Sequence, residues 1–164
     1  MNATSERAKR EFEYFKSKID QEALIERVLS HSLCTNNYED IKYLDKILGN
    51  EYEISRAPIY RGSKHGWKLS DFEERCVEKG PTLSLFKVKD GPCIGGFTTA
   101  NWENPLIFSS YKYDSSAFLF NLTDKRCFKI ITSDPAIHCG RYKAADFGEN
   151  ELAVEGPFNG KNNC

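Results

Sequence analysis

The stretch that most constrains the fold runs from Lys79 to Phe97, KGPTLSLFKVKDGPCIGGF. Pro81 cannot continue a helix and marks the start of a new element. From Thr82 to Lys89, Leu83 and Leu85 point one way and Phe86 and Val88 the other, so the spacing predicts a strand with apolar groups on both faces. Asp90-Gly91 is a strong turn signal, and Pro92 to Thr99 reads as the returning strand. Gly95-Gly96 lies inside that strand. Glycines there give up entropy and packing area, which a bulge or a close neighbouring backbone would explain. A hairpin buried on both faces needs layers above and below it.

The surrounding chain is long enough to supply them. It has 164 residues, enough for one domain with an appendage. Eleven Phe and eight Tyr favour strands. A net charge of −1 gives no general attraction to nucleic acid or anionic membrane. No apolar run approaches the roughly 20 residues of a membrane span, and MNATSERAKREFEYF has charges where a signal peptide needs an apolar core. The expectation is a cytoplasmic protein without membrane insertion. The six cysteines show no C-x-x-C pair, and without a secretory signal they read as mostly buried, reduced thiols. The glycosylation triplets at Asn2 and Asn121 then carry no meaning, and Asn121 falls inside a strand pattern.

Residues 1–32 form an N-terminal helical segment. Phe12, Phe15 and Ile19 share one face, Leu24, Ile25, Val28 and Leu29 a shifted one, and Asp20 between them suits the cap of a second helix. Such a stripe is a solvated element docked on its own domain or a partner helix; it is short of the three or four heptads of a coiled coil. Asn37 to Leu48 is a helix capped by Asn37 and closed by Gly49. Tyr52 to Tyr60 has strand composition interrupted by Pro58, and Ser70-Asp71-Phe72-Glu73 has the form of a capping box for a helix to Cys76. Ala100 to Ser116 has little regular pattern. Ala117–Leu122 and Cys127–Thr132 are strands joined by a turn, Ala136–Cys139 and Leu152–Val154 weaker ones with a Gly- and charge-rich loop between them. Hairpins with two-sided apolar character favour antiparallel sheets packed face to face, with helices at the edges: a mainly β, α+β fold.

Catalytic templates fail. There is no G-x-S-x-G, no G-x-x-x-x-G-K and no H-E-x-x-H. Gly91 to Gly96 sits between strands, not ahead of a helix, so it is no phosphate loop. His138-Cys139 lacks further ligands at helical spacing, so no metal site is expected. Nothing in the sequence pairs Cys76 or Cys93 with His65 as a thiol nucleophile, and Glu73 and Glu74 read as a solvated helix face. Neither catalytic residues nor a cofactor are expected, and a binding or scaffolding role follows by default.

An ordered set of segments resembles the TLDc domain family. Tyr60-Arg61-Gly62-Ser63-Lys64-His65-Gly66-Trp67 is similar to its opening motif, Phe72-Glu73-Glu74-Arg75-Cys76 to its aromatic-to-cysteine helix, and Lys79-Gly80-Pro81-Thr82-Leu83 to its most specific short motif. Gly95-Gly96-Phe97, Trp102, and Asp114 leading into Ala117-Phe118-Leu119-Phe120 follow in order. The resemblance covers residues 33–164. Glu73 replaces the usual histidine, the late glycine-rich motif is reduced to Asp146-Phe147-Gly148-Glu149-Asn150, and the chain stops at Cys164 where similar proteins continue into further strands. It is therefore a shortened chain or a divergent member, and missing strands would leave a sheet edge unpaired. The resemblance implies a two-sheet antiparallel β-sandwich flanked by short helices, a link to oxidative-stress resistance, and binding to the vacuolar-type proton ATPase. It carries over no catalytic residues. Gly62, Gly66, Gly80, Pro81, Gly95, Gly96 and Trp102 read as structural. Phe108, Tyr111 and Tyr113, in the long patternless segment, are the candidates for contact with a protein partner. The alternatives are a structural component of a large assembly anchored by the N-terminal helix, and a thiol-based antioxidant enzyme or redox sensor.

Overall fold

The hairpin forms as its alternation demands. In the computed structural model, which describes residues 3–29, 34–35, 37–55, 57–104, 109–131, 134–140, 143–148 and 151–155, β1 (Thr82–Lys87) pairs antiparallel with β2 (Cys93–Thr98), from Thr82 opposite Thr98 to Lys87 opposite Cys93. The turn differs from the expected Asp90-Gly91 pair. Val88 donates to the Pro92 carbonyl, Gly91 donates to the Val88 carbonyl, and it is Asp90 that takes the left-handed conformation, at φ 53°. The register across Gly95 and Gly96 is regular, with no bulge. β1 is also not buried on both faces. It is an edge strand, so its side chains are half-buried while those of β2 are nearly all buried.

β4 (Phe118–Asn121) pairs with the other side of β2, and β5 (Arg126–Lys129) with β4, giving a first sheet of order β1-β2-β4-β5. The amide of Asn121 closes the β4–β5 turn: its Nδ2 donates to Asp124 Oδ2 at 2.7 Å, and its Oδ1 accepts the Asp124 N–H at 3.0 Å. The second sheet has the order β3-β6-β7-β8, from β3 (Ser110–Lys112), β6 (Ile137–Cys139), β7 (Lys143–Phe147) and β8 (Leu152–Glu155), all antiparallel. Two of these lie where no strand is expected. β3 falls in the patternless segment, and β7 in the Gly- and charge-rich loop. A register irregularity between Lys143 and Asp146 breaks the alternation that would have disclosed β7.

The sheets meet through Phe147, which is fully buried and lies against Gly96. A Cβ on Gly96 would come within 2.8 Å of that ring. Around Phe147 the core holds Phe72, Cys76, Trp102, Ile137 and Cys139, with Phe86 and Leu119 of the first sheet packed against it. Tyr60, Phe72, Trp102 and Phe147 form a run of edge-to-face rings 5.4–5.8 Å apart. Edge-to-face contact suits the ring quadrupoles and adds about 0.5–1.5 kcal/mol per pair beyond burial.

The chain divides into two compact units, residues 1–57 and 58–164. In the first, α1 (Ala3–Leu29) is one helix, so Asp20 does not cap a second. α2 (Tyr38–Leu48) is capped as expected: Asn37 Oδ1 accepts the Glu39 N–H at 2.8 Å, Gly49 follows at φ 70°, and Ile41, Leu44 and Leu48 are buried. The described part of Tyr52–Tyr60 forms no strand. In the second unit lie both sheets, α3 (Gly62–His65) and α4 (Leu69–Cys76). α4 begins earlier than the Ser70 capping box implies. Lys68 takes the cap position, and Asp71 Oδ2 accepts its N–H at 2.9 Å, so the carboxylate three residues on, not the serine hydroxyl, holds the start.

Candidate functional site

The two motifs ahead of the first sheet are knots of local hydrogen bonds. Tyr60 Oη donates to the Gly66 carbonyl at 2.9 Å, and His65 Nδ1 accepts the Arg61 N–H at 3.0 Å. Burial, with help from the Arg75, Lys64 and Arg61 charges, lowers the His65 pKa, so at neutral pH the ring keeps the acceptor this bond needs. Gly62 lies under the Trp67 ring, where a Cβ would approach to 2.5 Å. Gly66, at φ 105°, lies against the Asp71 carboxylate. Gly80 has open space around it but a φ of 74°, which a side chain would resist, and its N–H donates to Asn101 Oδ1 at 2.7 Å. Pro81 is exposed at the start of β1. Trp102 is 3% exposed; its Nε1 donates to Thr82 Oγ1 at 2.9 Å and its carbonyl accepts the Glu78 N–H at 3.0 Å. Gly95 lies beneath the Phe120 ring and beside the Ser84 carbonyl. Ring packing thus crowds Gly62 and Gly95, and a positive φ marks Gly66 and Gly80.

The contact candidates behave differently. Phe108 lies outside the described residues. Tyr111 and Tyr113 are 52% and 68% exposed. Tyr111 sits at the centre of β3, an edge strand, opposite His138, and stacks on its imidazole with centroids 4.5 Å apart and planes 19° off parallel. Glu103 holds β3 from the other side, accepting from Ser110 Oγ at 3.1 Å and from Lys112 Nζ. The lysine contact is the first cause of the lowered Glu103 pKa.

Behind Tyr111 is a group of side chains that sequence reasoning did not assemble. His138 Nδ1 is 2.8 Å from Asp146 Oδ2, and Lys143 Nζ is 3.0 Å from the same oxygen. Asp146 is fully buried. The row Tyr111, His138, Asp146 runs straight across β3, β6 and β7 by register. Missing β7 hid it: with Lys143 to Phe147 read as a loop, nothing places Asp146 opposite His138. His138 Nε2 and Asp146 Oδ1 are buried and have no hydrogen-bond partner among the described residues. The His138 ring thus lies between the exposed Tyr111 ring and the buried Asp146 carboxylate.

Thiol chemistry has little support from the geometry. None of the five described cysteines is in a disulfide; Cys76, Cys93 and Cys139 are buried, Cys34 is half-buried and Cys127 is exposed. Burial pushes the Cys76 thiol up to about 12 and raises Cys139 and Cys127 as well. Reactive cysteines need the opposite shift. Among the described residues no group of three or more His, Cys, Asp and Glu side chains is placed to hold a metal ion. No described helix is long and apolar enough to cross a membrane.

The pattern of the TLDc domain matches residues 29–160 of this chain. The chain is similar to MTOR-associated protein MEAK7 of Mus musculus, 24% identical over 90 residues, which is 55% of this chain and 19% of that protein. It is similar also to MTOR-associated protein MEAK7 of Gallus gallus, 28% identical over 82 residues, 50% of this chain and 17% of that protein. The alignments therefore span less than a fifth of these relatives' length.

Proposed function

The chain belongs to the TLDc domain family, and from that premise we propose that it is a non-enzymatic protein-interaction module of the cytoplasm, binding and regulating the vacuolar-type proton ATPase and serving protection against oxidative stress. The name of these relatives, an association with MTOR, supports the coarser part of this reading, a regulatory module that works by protein contact.

One observation carries the reading to a surface. Tyr111 and Tyr113 are exposed on and just beyond an edge strand, and Tyr111 stacks on the His138 imidazole, whose Nδ1 is 2.8 Å from the buried Asp146 carboxylate. Tyrosines dominate binding energy where they are rigid and desolvated by a partner. A ring already fixed in place loses little freedom on docking, which raises the affinity available from its area. The raised thiol pKa values favour binding over chemistry. The test is capture of purified proton-ATPase peripheral sector by the immobilised chain. Replacing Tyr111 and Tyr113 together with Ser should weaken capture by about tenfold or more. Equal capture by both forms would remove this surface from the reading.

A further inference from the structure

We propose that α1 pairs in parallel with α1 of a second copy of this chain, through a seam of Ala8, Phe12, Phe15 and Ile19. Every side chain from residue 6 to residue 20 is exposed, and Phe12, Phe15 and Ile19 are 67%, 60% and 64% exposed. In proteins most helical stability comes from packing an apolar face. The face is there and its own unit leaves it open.

The spacing and the charges select the occupant. Ala8, Phe12, Phe15 and Ile19 follow the alternating four-three-four step of a coiled-coil seam. On the flanks, Lys9 and Lys16 lie on one side of the seam, Glu11 and Lys18 on the other. In a parallel pair each flanking residue meets the one five positions later on the facing helix. Glu11 then meets the second copy's Lys16, and the two-fold axis repeats the contact. Lys18 meets only Ala23, so no like charges oppose. An antiparallel pair would bring Lys9 against Lys16 and cancel its own attraction between Glu11 and Lys18. In the sequence the same spacing continues to Glu22 and Glu26, so its apolar run ends at Ile19. Within one copy Glu11 Oε1 is 3.1 Å from Arg7 Nε, an exposed pair whose side chains are 59% (Glu11) and 81% (Arg7) accessible. Such pairs contribute little, so Glu11 is readily released to the facing helix.

The experiment is sedimentation velocity of the whole chain from about 5 to about 500 μM, the range in which a seam this short should associate. The native chain should shift from monomer to dimer across it. Glu11→Lys and Lys16→Glu, each alone, should weaken the dimer by about tenfold or more, because each creates a repelling pair. Mixing the two variants should restore dimer, since both flanking contacts are then attractive. Both positions are exposed, so neither change touches the fold. A chain that stays monomeric throughout would overturn the proposal. A dimer indifferent to both charge changes would do so equally, by placing the interface elsewhere.

Discussion

Asp114 shows how much of a family pattern one side chain can explain. Burial pushes its pKa up, but the N–H groups of Thr99 and Ser116 and the Thr98 hydroxyl outweigh that, and the net shift is below the ordinary 3.8. Its Oδ2 accepts from Thr99 at 2.6 Å and from Thr98 at 2.9 Å, its Oδ1 from Ser116 at 2.9 Å. It thus ties the end of β2 to the turn before β4. Asp114→Ala should cost about 2 kcal/mol or more in urea unfolding, since several donors lose a charged acceptor. A depressed carboxylate pKa stabilises above its unfolded value and loses that contribution as pH falls through the folded one. The native chain should therefore weaken below about pH 4 by an amount the variant does not lose. Cys76 works at the other end of the scale. Its folded value of about 12 lies above the ordinary 9.0, so its contribution is complete below pH 9.0 and is lost as pH rises toward 12. Alkaline melting should be less steep for Cys76→Ala. At neutral pH a thiol reagent should label Cys127 first, and Cys76, Cys93 and Cys139 only on unfolding; rapid peroxide consumption abolished by a single cysteine change would contradict this.

At the scale of elements, the contact between β2 and β7 decides the packing of the two sheets. Gly96→Val forces the Phe147 ring to move and should destabilise by about 1–3 kcal/mol, the usual cost of overpacking. Phe147→Ala opens a cavity and should cost about 3–5 kcal/mol. Because the two sites touch, the double variant should fall short of the sum by about 0.5–3 kcal/mol. Additive losses in chemical denaturation would mean the ring and the glycine are not in contact. This pair also marks what the sequence could disclose. β1, β2 and β4 were legible because alternation, turn signals and large apolar residues agree there. β7 was not: Lys-Ala-Ala-Asp-Phe has small residues at its centre, charges at both flanks and an irregular register. The glycine pair pointed to a close approach. What approaches Gly96 is a ring from the other sheet, and the sequence has no local signal for that.

Across the whole molecule, the two antiparallel sheets and the ordered family motifs were readable from the chain. The tyrosine surface was only partly so. Tyr111 and Tyr113 stand out as aromatics in a patternless segment, but edge strand β3 under Tyr111, and His138 and Asp146 behind it, depend on strand pairings that no local pattern reveals. The central claim is that this surface binds a protein partner while the fold stays unchanged. Tyr113 is the sharper probe, being the more exposed ring. The direct measurement is the affinity of the purified chain for the peripheral sector of the proton ATPase, taken beside the melting temperature, for the native form and for Tyr113→Ser. The expected result is binding by the native chain, at least about fivefold weaker binding by the variant, and melting temperatures within about 2 °C of each other. Binding unchanged by the substitution, or no binding by the native chain at all, would contradict the account.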